Sequence, residues 1–171
     1  MEQAKLKEAK SAFTRANEAA RSAVVRAPES ADAIAEQGIA AYWLGYYHYR
    51  QSQLDEARKH WTKYLQTSEQ LVRLDPEKTD WQIELSYALN NLGAVTRDQG
   101  RTDEALAYFR RSAKLKTSVL SARPHDDALR YDLVDTLSWI SSGDGSEGRL
   151  SEAASGYAEQ IGMLRTLVAN K

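Results

Sequence analysis

One interval governs this sequence: 48 residues. Leu54-Asp-Glu-Ala57, Thr102-Asp-Glu-Ala105 and Leu150-Ser-Glu-Ala153 recur at that spacing, and Leu6-Lys-Glu-Ala9 lies one interval upstream. An aromatic residue four places after each alanine keeps step as Phe13, Trp61, Phe109 and Tyr157. Pro28, Pro76 and Pro124 follow the same interval and are every proline in the chain. A period of this length means an array of supersecondary units, each able to bury its apolar face only against its neighbours.

The clearest copy of the unit runs from Leu89 to Ala113. Leu89, Leu92 and Thr96 follow helical spacing, and Gly93 leaves a gap on the same side where a partner helix can approach. Gln99-Gly100-Arg101 ends that helix at a residue suited to a left-handed cap, and Thr102 offers an N-cap hydroxyl to a second helix with Asp103 and Glu104 in its first turn. Ala105, Phe109 and Ser112 or Ala113 give the second helix an inward face. The pattern is helix, turn, helix.

The Leu92-Gly93 pair, the Gly100-Arg101 turn, the Asp-Glu-Ala triplet, the aromatic residue four places on and the later proline together resemble the tetratricopeptide repeat family. The resemblance covers almost the whole chain, in a form longer than the common repeat of about 34 residues. The Leu89-Asn-Asn-Leu92 wording is similar to the long repeats of kinesin light chains and of bacterial signalling proteins. The resemblance implies an all-α, right-handed superhelical solenoid of antiparallel hairpins with seven helices. It also implies a concave face that binds other polypeptides, no cofactor, and no chemistry of its own.

In that frame residues 2–27 form a lone N-terminal helix with Leu6, Ala9, Phe13, Ala16, Ala20 and Val24 along one face, and Lys5, Lys7, Glu8, Lys10 and Arg15 elsewhere. Hairpins follow at 30–75, 78–123 and 126–170, the whole forming one domain. Inward positions on the second helix of hairpin 1 are Ala57, Trp61, Tyr64 or Leu65, Ser68, and Leu71 or Val72. Hairpin 2 buries Trp81, Leu85, Ala88, Leu89 and Leu92. The third hairpin departs from the pattern, because Ser141-Ser-Gly-Asp-Gly-Ser-Glu-Gly148 stands where earlier copies carry helix formers. Each glycine costs roughly 1 kcal/mol against alanine, so its first helix is expected to stop or fray near Ser142.

Composition narrows the function. A formal net charge of −1 with 27% charged residues gives no electrostatic reason to bind nucleic acid or an anionic membrane. Cysteine is absent, which removes disulfides, thiolate metal sites and thiol nucleophiles. The first ten residues lack the apolar core of a signal peptide, and no run has the length to cross a bilayer. The expectation is a cytoplasmic protein, or a soluble piece of a larger one.

Motifs for chemistry are absent, and an enzyme is not expected. His48 and His60 fall on the two helices of one hairpin, but without a third histidine or a cysteine they read as interface residues, so no metal site is assigned. Gly143-Asp-Gly-Ser-Glu-Gly148 lacks the spaced acidic ladder of a calcium loop. No phosphate loop or nucleophile elbow is present.

Aligning the three copies puts Trp43, Asn91 and Trp139 at one place, beside Tyr42, Asn90 and Ser138. Farther along come Tyr46, then Tyr49 with Arg50, and Arg97 with Asp98. The candidate peptide-binding groove is therefore Tyr42, Trp43, Tyr46, Tyr49, Arg50, Asn90, Asn91, Arg97 and Trp139, the asparagine amides being suited to pairing with an extended peptide backbone. Tyr47 and His48 read as core. The family's clamp for a terminal carboxylate is matched only at Asn91, with Tyr42, Asp135 and Trp139 where cations would be wanted, so an internal, partly apolar segment is the expected partner. Two other readings stand beside it: a small-molecule sensor at the aromatic helix, or a self-assembly module. Surplus apolar residues between Tyr157 and Val168 make a homodimer through the last helix the expected form of self-assembly.

Overall fold

The computed structural model describes residues 2–169, with side chains from 8 to 168, so the expectations for Lys5, Leu6 and Lys7 lie outside the described side chains. Seven α-helices account for the described residues: α1 (Glu2–Arg26), α2 (Ala31–Arg50), α3 (Leu54–Leu74), α4 (Thr79–Asp98), α5 (Thr102–Ala122), α6 (Asp127–Ser146) and α7 (Leu150–Ala169). No strand occurs among them. The fold is all-α, with helices joined in hairpins.

The repeat fixes the turns. Ser52, Gly100 and Gly148, 48 residues apart, are the left-handed positions, with φ of 56°, 76° and 77°. In each turn the amide of the residue following this position donates back across the helix end: Gln53 to the His48 carbonyl at 2.9 Å, Arg101 to Thr96 at 3.1 Å, Arg149 to Asp144 at 2.8 Å. That bond satisfies a carbonyl the helix itself leaves unpaired. Between hairpins, Ser30 Oγ and Asp126 Oδ1 cap α2 and α6 by accepting from the Ala33 and Leu129 amides. The N-cap expected at Thr102 is not formed. Arg101 takes the cap position without a side-chain bond, and Thr102 is the first helical residue.

A second correction concerns α6, which runs on to Ser146 instead of ending near Ser142. Tertiary contacts outweigh the glycine penalty. A Cβ on Gly143 would lie 2.7 Å from Leu106 Cδ2, so α5 packs directly onto that glycine. Asp144 is buried and accepts from Arg110 Nη2 at 2.6 Å and Arg149 Nε at 2.7 Å. Burial pushes its carboxyl up, but the two guanidinium bonds outweigh this and hold it below the usual carboxylate range.

Two compact units are distinguished, residues 1–88 and 89–171, with the boundary inside α4. In the first, α1 packs on α2, and α2 on α3; in the second, α5 packs on α6, and α6 on α7. The inward positions keep the period. Ala57, Ala105 and Ala153 are buried, as are Leu71, Val119 and Leu167. Of the alternatives on α3, Tyr64 and Leu71 go inside, while Leu65 and Val72 are half-buried. Trp81 is also only half-buried, with the Lys78 ammonium 4.0 Å above its ring.

Close approach between the helices of a hairpin uses one glycine slot. A Cβ on Gly45 would meet the Trp61 ring at 2.3 Å, and one on Gly93 would meet Phe109 at 2.6 Å. Both rings are consequently 2% exposed. In the third hairpin Ser141 fills the slot, and the missing glycine moves to α7 as Gly156, whose Cβ would lie 2.2 Å from Ser141 Oγ. The aromatic residue of that copy is displaced outward: Tyr157 is 44% exposed.

Candidate functional site

In the first unit the groove candidates of α2 form a ring cluster. Tyr42 and Trp43 meet edge to face at 5.0 Å, Trp43 and Tyr46 at 6.0 Å, and Tyr42 packs on Tyr64 of α3 at 5.7 Å. Burial raises the Tyr42 phenol above its ordinary value, with Tyr46 and Glu84 adding to the shift. One face of Trp43 stacks on Phe13 of α1, 5.6 Å away and 11° from parallel, while 41% of the residue stays exposed. Tyr46 is exposed to a similar degree. Tyr49 turns toward α3 and lies 5.1 Å from Trp61, half-buried, and Arg50 is exposed at the helix end.

Sequence reasoning missed Ile39. It is exposed, and with Trp43, Tyr46 and Arg50 it makes a stripe at spacings of four, three and four residues along α2. The signal was available in the spacing, on the side of α2 away from the buried Ala41, Leu44 and Gly45. His48 is buried, as a core reading requires, whereas Tyr47 is only half-buried, with Lys10 near its ring.

The second unit arranges its candidates differently. Asn90 Nδ2 donates to Thr136 Oγ1 at 2.9 Å, and its Oδ1 is enclosed without a hydrogen-bond partner among the described residues. Lys116, fully buried on α5, donates to the same Thr136 Oγ1 at 2.9 Å and to the Asp132 carbonyl at 3.0 Å. Burial pulls its amine down to about 8, against the opposing pull of Asp132 and Asp135. Asn90 therefore belongs to an interior network that the sequence did not reveal, because its members come from three helices. Asn91 beside it is half-buried.

Arg97 lies 4.0 Å over the Trp139 ring and donates through Nε and Nη2 to Asp98 Oδ1. Its Nη1 is enclosed and unpartnered among the described residues. Trp139 stacks on Phe109 at 6.4 Å and keeps 40% exposure, nearly that of Trp43, its counterpart two periods earlier. The Phe13–Trp43 and Phe109–Trp139 pairs are thus the same contact made once in each unit.

Among the described residues no helix is long and apolar enough to cross a membrane. The family model described as tetratricopeptide repeat matches residues 85–127, from within α4 through α5 to the start of α6. Among solved structures, the crystal structure of MamA is similar at 14% identity with a TM-score of 0.39, over 95% of both chains. That of BtubC (BKLC) from P. vanneervenii is similar at 10% identity with a TM-score of 0.32, over 95% of this chain and 92% of that one. Among curated proteins nothing matches.

Proposed function

We propose, for a chain that carries a tetratricopeptide repeat, that it is a protein-binding scaffold whose principal contact is the Ile39, Trp43, Tyr46 and Arg50 stripe of α2. The observation that supports this is the exposure of Trp43 and Tyr46 inside a cluster whose other members are half-buried or buried. Large rings left outside a core that is already served are what interfaces use as anchors. Tyr42, packed on Tyr64, holds the cluster from its inner side, and Tyr49 packs on Trp61. The partner is an internal, partly apolar polypeptide segment, with Arg50 positioned for an acidic residue near one end. In the second unit Trp139, backed by Arg97, is the equivalent anchor, and the half-buried Asn91 supplies a polar contact beside it.

Panning the chain against a random peptide library provides binders with which to test the reading. Trp43→Ala and Tyr46→Ala are expected to weaken the selected peptides at least tenfold. Trp43→Ala should lose less than about 2 kcal/mol of stability, against roughly 3–5 kcal/mol for the buried Trp61→Ala. Equal stability losses for the two tryptophans, or peptides that bind Trp43→Ala as tightly as the unmodified chain, would make Trp43 a packing residue and remove the site.

A second reading has its own support. Tyr157, Ile161, Leu164 and Val168 are all exposed and follow one another at four, three and four residues along α7, the spacing of a helix–helix seam. We infer that this seam pairs with a second copy of the chain.

A further inference from the structure

The turn of hairpin 1 carries a group that neither the repeat nor peptide binding requires. His48 is in the last turn of α2, while Glu56 and His60 lie one helical turn apart at the start of α3. One potential ligand atom from each of the three lies within 4.8 Å of the others. The His48 and His60 rings are 5.4 Å apart and within 7° of parallel. His48 Nδ1 is 2.6 Å from Gln53 Oε1. An amide oxygen only accepts, so Nδ1 donates here, and in the neutral ring it is Nε2 that keeps the lone pair a metal needs. A histidine fixed in this way by an outer partner is the usual arrangement behind a metal ligand.

The other copies show what is special here. Glu56 recurs as Glu104 and Glu152, so the carboxylate belongs to the repeat itself. Position 48 becomes Thr96 and Asp144, and position 60 becomes Tyr108 and Gly156. Both imidazoles therefore appear together in one hairpin only. Glu56 faces the Lys59 ammonium at 3.6 Å, but both groups are exposed and the pair is weak enough to exchange for a divalent ion.

We propose that His48, Glu56 and His60 bind a divalent transition ion of the zinc class, fastening the end of α2 to the start of α3. Two imidazoles and a carboxylate are the ligand set of many three-residue zinc sites, which leave a fourth position for water or an incoming group. Tetrahedral coordination sets ligand atoms about 3.4 Å apart, somewhat closer than the 4.8 Å within which these three fall. The site stands independently of the α2 stripe, and each can fail without the other.

The test uses the full chain, free of any affinity tag, stripped with a chelator and titrated with Zn2+ by calorimetry. One equivalent is expected to bind, and the melting temperature is expected to rise with it, because the ion binds the folded state. Glu56→Gln and His60→Ala should each weaken Zn2+ at least tenfold, while His125→Ala should bind as the unmodified chain does. Circular dichroism without zinc establishes that the variants are folded; should His60→Ala fail to fold, the exposed Glu56→Gln still decides. Absence of a stoichiometric event, or unchanged affinity in folded Glu56→Gln, overturns the proposal.

Discussion

At the scale of single residues, Lys116 makes the firmest demand on experiment. Its ammonium is enclosed with Thr136 and the Asp132 carbonyl, and burial lowers its folded-state value to about 8. In the unfolded chain a lysine titrates near 10.4. Between those values the unfolded state holds more protons than the folded one, so the lysine's contribution makes stability rise with pH. The gain across the window is up to about 3 kcal/mol. Urea unfolding of the unmodified chain and of Lys116→Met, at about pH 7 and about pH 10, isolates it as the difference between the two slopes. A parallel pH dependence in the two proteins would mean that Lys116 is as well solvated folded as unfolded.

At the scale of the helix, α6 holds two glycines in its last turn that should respond oppositely to alanine. Gly145 is helical, and a Cβ there would meet Ala153 Cβ at an ordinary 3.7 Å. Gly145→Ala is expected to stabilise by roughly 0.5–1 kcal/mol, by removing backbone freedom from the unfolded chain. Gly143→Ala drives its Cβ to 2.7 Å from Leu106 and is expected to cost about 1–3 kcal/mol in displaced packing. Thermal melts of both variants check the pair, and a common sign would break the account of why α6 continues. The sequence was legible at this scale wherever a local signal decided the outcome. The prolines and Gly100 are such signals, and helices stop beside them, whereas the left-handed Ser52 carries no comparable mark in the sequence. The extension of α6 was not legible, because glycine propensity is local while Leu106, Arg110 and Arg149 reach Asp144 and Gly143 from elsewhere. Glu56 went unread for a different reason: as part of the repeated Asp-Glu-Ala it looked structural. Asn90 looked like a free amide because Thr136 and Lys116 are remote in sequence.

For the molecule as a whole, the exposed seam of α7 sets the expectation. Its inward side is occupied by Ala153, Gln160 and Leu167, and Gln160 Nε2 donates to Ser141 Oγ at 2.9 Å. The principal contact is with α6. Tyr157, Ile161, Leu164 and Val168 are left uncovered on the other side. Sedimentation across a concentration series is expected to show a monomer–dimer equilibrium, and Leu164→Lys is expected to shift it at least tenfold toward monomer. A strictly monomeric species at high concentration would refute pairing through this seam. The period itself carried most of this architecture into view, since positions 57, 105 and 153 are buried together. The turned-out Tyr157 accompanies two linked exchanges, Ser141 where the earlier copies have glycine and Gly156 opposite it on α7, whose effect is visible only once the two helices are set side by side.

The placement of the four indoles has an optical consequence. Trp43, Trp61 and Trp81 all belong to the unit of residues 1–88, and Trp139 alone belongs to the other. Trp61 is shielded from solvent, Trp81 lies beneath an ammonium, and Trp43 and Trp139 are open to collisional quenchers. Intrinsic emission therefore reports mainly on the first unit, whereas peptide-bond ellipticity weights all the helices nearly evenly. The chain comes with a built-in spectroscopic contrast between its two halves, and no dye has to be attached to read one against the other.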